Sequence, residues 1–120
     1  MADPTISYPP DCNNSPKNQL MVDFCLFILG AGHPSLGEIV EADAVWQQQV
    51  DHLVKGHDDI IAAAKARDLP KDIEIFNVAT HGKVGFVDGV CQTEQSRFGF
   101  CFKVVFKSAA AKRVSKIVSY

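Results

Sequence analysis

An α+β domain, with helices packed on a strongly curved antiparallel or mixed sheet, follows from three features of the sequence. Roughly the first 70 residues read mostly as helix. Residues 73–120 then read as four strand-like runs, and helices followed by an antiparallel meander is the order of a sheet that closes over its own helices. The third feature is a strict alternation. Phe98, Phe100, Phe102, Val104 and Phe106 fall on one side of their run, and Arg97, Gly99, Cys101, Lys103 and Lys107 on the other, with Val105 the exception. An aromatic face this regular has to be covered, and the helices are the available cover.

The elements follow in order. Residues 1–14 hold Pro4, Pro9, Pro10, Asn13 and Asn14 and read as an extended or disordered arm, so the domain spans 15–120. Ser15 followed by Pro16 is an N-cap with proline at the first helical position, and Gly30 and Gly32 stop that helix. Met21, Val22, Phe24, Cys25, Leu26, Phe27, Ile28 and Leu29 make it apolar nearly all round, as in a helix covered on most sides. Ser35 and Glu38 have capping-box spacing, which predicts a short second helix from about Leu36 to Asp43 with Leu36, Ile39 and Val40 buried. Residues 44–48 read as a short strand carrying the single tryptophan, Trp46. A third helix opens after Gly56, with Asp58 and Asp59 in its first turn and Lys65 and Arg67 in its last, as the helix dipole favours. Strands are predicted at about 73–80, 84–92, 97–107 and 113–119, with turns at Gly82-Lys83 and at residues 93–96.

A chain of 120 residues is one domain with room for a real core. Its net charge of -2 gives no reason to expect nucleic acid or an acidic membrane as partner. The basic cluster of Lys103, Lys107, Lys112, Arg113 and Lys116 reads as the solvated face of two edge-ward strands. Residues 20–31 are apolar apart from Asp23, but too short to cross a bilayer, and a cytosolic protein is expected. The four cysteines, Cys12, Cys25, Cys91 and Cys101, form no C-x-x-C pair and no metal-finger spacing. They read as reduced thiols, with a Cys91–Cys101 bridge the one pairing a hairpin could allow. No metal and no cofactor is expected.

Several strings in this order are familiar. They are Leu29-Gly30-Ala31-Gly32-His33 at the end of the first helix and Glu41-Ala42-Asp43-Ala44-Val45-Trp46. Then come Gly56 opening an isoleucine- and alanine-rich helix, Asn77-Val78-Ala79-Thr80-His81-Gly82-Lys83, Val84-Gly85-Phe86-Val87-Asp88-Gly89, and Phe100-Cys101 leading to Phe106. Over residues 15–120 the chain resembles the NTF2-like superfamily, in particular its small SnoaL-like and ketosteroid-isomerase-like members. The resemblance implies a cone, three N-terminal helices in the concave face of a bent mixed sheet, with a pocket at the open end for a small apolar molecule. It also implies a homodimer through the outer face of the sheet. Members include isomerases, cyclases, dehydratases and proteins that only bind, so the fold does not choose a function.

Isomerase members work with a tyrosine on the first helix, an acid on a late strand, and an aspartate that moves the proton. Local alignment puts these positions on Cys25, Phe102 and Gln48. Glutamine cannot serve as general base, phenylalanine cannot donate to an oxyanion, and cysteine is a weak donor. Steroid-isomerase chemistry is therefore not expected. The leading expectation is a domain that binds an apolar or aromatic small molecule in a pocket lined by Cys25, Trp46, Gln48, Phe86, Asp88, Phe100 and Phe102, with the alternative that these aromatics fill a closed core. A second expectation is a cyclase- or dehydratase-type enzyme. Its one catalytic candidate is Asp88, which shares a strand side with Val84, Phe86 and Val90, and a carboxylate enclosed by Phe100 and Phe102 would have its pKa raised. The competing reading of Asp88 is a bulge or turn with Gly89. The third expectation is a ligand-free dimeric module using an outer face that includes Val87, Cys91, Cys101 and Val105. His81 reads as a hairpin-tip residue, and His52 and His57 as polar surface or cavity-mouth residues. Asn77 is left open between the two faces.

Overall fold

Ser15 starts the first helix as its chemistry requires. In the computed structural model, which describes residues 4–8, 15–109 and 113–120, α1 spans Pro16–Ile28. The Ser15 side chain accepts the backbone N–H of Asn18 at 3.4 Å, and Pro16 sits where no N–H partner is needed. The helix ends where Gly30 takes φ +95°, a backbone region that only glycine enters freely. That turn lets the N–H groups of Ala31 and Gly32 both donate to the Leu26 carbonyl, at 2.8 and 2.9 Å. Met21, Phe24, Cys25 and Ile28 have no accessible surface, so α1 is the central plug of the fold.

The expected second helix is shorter and different in kind. Pro34–Ile39 is a single 3₁₀ segment capped by His33, whose Nδ1 accepts the Ser35 N–H at 3.1 Å. Ser35 and Glu38 therefore form no capping box. The chain turns to strand at Val40, which is fully buried and pairs with Val114, so long-range pairing overrides the local helix signal over residues 40–43. β1 is Thr5–Ser7, β2 is Val40–Gln49 and β3 is His52–Lys55. α2 is His57–Lys65, and Arg67 lies beyond its C-cap, Ala66, rather than in its last turn. β4 (Pro70–His81), β5 (Val84–Thr93), β6 (Arg97–Phe106) and β7 (Val114–Ser119) follow the expected boundaries closely. Pro9, Pro10, Cys12, Asn13, Asn14 and Lys112 lie outside the described residues.

Among the described residues seven strands form one sheet in the order β1-β4-β5-β6-β7-β2-β3. β1 runs parallel to β4 and β2 parallel to β7; the other pairs are antiparallel, so the sheet is mixed. Its bend has a local cause. The register shifts in β4 between Ile75 and Asn77, in β2 between Gln47 and Gln49, and near the end of β6 after Val105. Each bulge adds twist and curls the sheet around the helices. Gly89 faces the β4 bulge, and a Cβ there would run into the Glu74 carbonyl and the Phe100 ring. The alternation in β6 holds: Phe100, Phe102, Val104 and Phe106 are buried and Phe98 is half-buried, while Gly99, Cys101, Lys103 and Val105 face outward. Two α-helices and the 3₁₀ segment cover this concave face, which is the α+β cone expected from the sequence.

Candidate binding site

The strand register decides which predicted pocket residues meet. Val87 pairs with Phe102 and Gly89 with Phe100, so the inward side of β5 is Gly85, Val87, Gly89, Cys91 and Thr93. Phe86 and Asp88 point the other way. Phe86 pairs with Lys103 and is 46% exposed, and Asp88 pairs with Cys101. Both expectations for these residues are corrected: neither lines the cone. The parity of β5 could not be read from the sequence because both of its faces are rich in apolar residues. Asp88 instead accepts a hydrogen bond from the Asn77 side-chain N–H at 3.2 Å, which also settles that Asn77 faces outward. Its enclosure by Phe100 and Phe102 is absent, so the argument for Asp88 as acid or base falls. The same register moves Val87 and Cys91 from the outer face, where they were expected, into the core, and leaves Cys101 and Val105 outside.

Cys25, Trp46, Phe100 and Phe102 do come together inside the cone. Phe100 and Phe102 stack with centroids 5.4 Å apart. Trp46 donates its indole N–H to the Ser119 hydroxyl at 2.8 Å, which satisfies its one polar atom. Cys25 and Trp46 have no accessible surface, and a side chain touching a water-sized void would have some. They are packed core and not the walls of an open pocket. Gln48 is half-buried beside the β2 bulge. Burial pushes the Cys25 and Cys91 thiols up, so neither is a ready nucleophile. Cys91 and Cys101 lie on opposite faces of the sheet, which excludes the bridge between them, and Cys25, Cys91 and Cys101 are all free.

The open space lies higher, at the mouth. The C-terminal end of α1, the turn leaving α2 and the β5–β6 hairpin flank a half-open cavity of about 140 Å³ lined by Leu29, Arg67, Asp68, Thr93, Ser96 and Phe98. Thr93 holds the hairpin in shape: its Oγ1 accepts the N–H groups of Gln95 and Ser96 at 3.2 and 3.1 Å. Arg67 is the residue sequence reasoning missed. Its guanidinium sits 5.4 Å from the Trp46 ring centroid, half-buried, and burial lowers its pKa while the neighbouring Cys91 and Cys25 act to raise it. The signal was present in the spacing. Ile60 and Ala64 are the buried stripe of α2, and Arg67 continues it at the i+7 position.

A second, wider groove of about 490 Å³ runs outside the cone past Glu38, Ala42, Lys55, His57, Asp59 and Arg113. His57 is committed there to structure, with Nδ1 2.9 Å from Asp58 and Nε2 2.9 Å from the Gly37 carbonyl. Glu41 joins Lys107 and Arg113 nearby, at 3.0 and 2.7 Å, so two of the basic cluster are paired and not simply solvated. His81 lies at the β4–β5 turn and His52 is exposed. Among the described residues, no group of three His, Cys, Asp or Glu side chains could hold a metal ion, and no helix is long and apolar enough to cross a membrane.

No protein-family model matches the chain, and no curated protein matches it in sequence. Solved structures do match. A candidate ketosteroid isomerase from Kribbella flavida DSM 17836 superposes with a TM-score of 0.71 at 10% identity, over 86% of this chain and 75% of that one. An NTF-2 like protein of unknown function from Burkholderia xenovorans LB400 gives 0.69 at 12% identity, over 87% and 80%. A candidate SnoaL-like polyketide cyclase from Jannaschia sp. CCS1 gives 0.61 at 16% identity, over 88% of each chain. At these identities the likeness establishes the fold.

Proposed function

We propose that this chain, which has the NTF2-like cone fold, is a small-molecule-binding domain whose ligand sits at the mouth of the cone and not in its depth. The observation that carries the reading is the 140 Å³ cavity, walled by Leu29 and Phe98 and placed directly over a filled aromatic core. Such a space takes a compact ligand or one end of a larger one, since drug-sized pockets run from about 300 Å³ upward. The three isomerase positions carry Cys25, Gln48 and Phe102, two of them sealed in the core, which supports binding without that chemistry. A screen of small aromatic and aliphatic compounds by amide NMR tests the reading. Saturable shifts at Leu29, Thr93 and Phe98, abolished by Phe98→Asp in a folded variant, are expected. Compounds that bind elsewhere, or none that reach the mouth, would remove it.

The partner this geometry favours is a second copy. Phe86 lies exposed on the outer face beside Val84 and Val105, with Asp88 and Lys103 both facing outward next to it. A patch carrying both charges around an aromatic is self-complementary under two-fold symmetry. Sedimentation should show a dimer that Phe86→Asp dissociates; a monomer at every accessible concentration would end this reading.

A further inference from the structure

Arg67 has no partner of its own among the described residues. Among the described residues no carboxylate lies within ion-pair distance of its guanidinium and no side-chain or backbone oxygen accepts from it. No buried side-chain nitrogen among the described residues is left without a hydrogen bond, so the guanidinium N–H groups keep some access to solvent, and the space they line is the mouth cavity. Below, the Trp46 face holds the cation in place; beside it stand the Leu29 and Phe98 side chains. A planar, permanently charged fork, half-buried beside Leu29 and Phe98 and with no ion-pair partner among the described residues, is an arrangement that recognises an anion supplied from outside.

Resting on the mouth-binding reading above, we propose that the ligand is a small organic monocarboxylate, its carboxylate on Arg67 and its apolar body on Phe98 and Leu29. Size and charge choose this class. About 140 Å³ is well below the roughly 300 Å³ at which drug-sized pockets begin, which suits a short-chain or single-ring acid. One guanidinium balances one negative charge. Asp68 also lines the cavity, so a dianion such as a phosphate monoester meets added repulsion. Asp68 is not within ion-pair reach of Arg67 to compete for it.

The test is an NMR titration of the intact protein with benzoate, its neutral analogue benzamide, propionate, and inorganic phosphate, following the Arg67 Nε–H signal and the Phe98 and Leu29 amides. Benzoate should bind at least roughly tenfold more tightly than benzamide, as expected for a charge-assisted pair in a partly desolvated site, and should move the Arg67 signal. Arg67→Gln should erase that preference while leaving benzamide binding in place, and Arg67→Lys, which keeps the charge and the fold's electrostatics, should retain part of it. Benzamide binding as well as benzoate, or a preference that survives Arg67→Gln, overturns the carboxylate assignment but leaves a mouth-binding domain. Phosphate binding more tightly than benzoate overturns the monocarboxylate class. If neither ring compound nor propionate shifts the Phe98 and Leu29 amides, the mouth-binding reading fails as well.

Discussion

Phe102 and Phe86 lie on adjacent, paired strands and differ in which face they occupy. Replacing each by alanine therefore tests the register directly. Phe102 is 2% exposed and stacked on Phe100 at 5.4 Å. Its loss removes a transfer contribution of about 2–3 kcal/mol for a buried aromatic. To that is added about 1 kcal/mol for the aromatic pair. A cavity contribution follows because the backbone on both sides is fixed by sheet pairing, bringing the total to about 4 kcal/mol, within the usual Phe→Ala range. For a domain of this size that is a drop in melting temperature on the order of 12–20 °C. Phe86 is 46% exposed, so its truncation in the monomer should be worth under about 1 kcal/mol. Denaturant melts of both variants, run at two protein concentrations, give the comparison. A concentration-dependent loss for Phe86→Ala reports a dimer face; a concentration-independent loss as large as that of Phe102→Ala would refute the facing of β5 and β6, and with it the placement of Asp88 outside the cone.

Three further outcomes follow from named contacts. Ser119→Ala leaves the buried Trp46 indole N–H without an acceptor, and should destabilise by about 1–3 kcal/mol in urea unfolding with a shift in tryptophan emission. Glu41 is held below the ordinary glutamate range by hydrogen bonds from Arg113 and Lys107, so its contribution is present above the unfolded value of about 4.3 and is lost as pH falls through the lower folded value. Glu41→Gln should therefore flatten the acid limb of the melting-temperature profile below about pH 4.5, and an unchanged limb would count against the Glu41 cluster. Peptide-mapped alkylation of the native protein should label Cys101, half-exposed on the outer face, well ahead of Cys25 and Cys91, which should react only on unfolding; early labelling of Cys25 would mean that the cone is open.

The candidate site was partly legible. The side of β6 that enters the cone could be read because Phe98, Phe100, Phe102 and Phe106 share a period of two that Gly99, Cys101 and Lys103 interrupt, with no large aromatic on the other side. The side of β5 could not, because Val84, Phe86 and Val90 alternate with Val87 and Cys91, giving two apolar faces. Only the pairing of Val87 with Phe102 breaks the tie. β1 and β3 escaped for a related reason: three and four residues are too short to show a period, and each exists as strand because a longer neighbour, β4 or β2, supplies its hydrogen bonds.

What the sequence determined by itself is local. Ser15-Pro16 and Gly30 bound α1, Gly56 and its following aspartates open α2, Gly82 turns β4 into β5, and the aromatic period of β6 fixes which face is covered. These are choices made within a few residues by sterics, capping and the pleat. Tertiary structure decided the rest. The strand at Val40 in place of helix, the outward turn of Asp88, the sealing of Cys25 and Trp46, and the placing of Arg67 over Trp46 at the cone mouth all depend on partners far away in the chain. A residue's side of a sheet or its place in a cavity is settled by the register and bend of the whole sheet, and no local pattern carries that information.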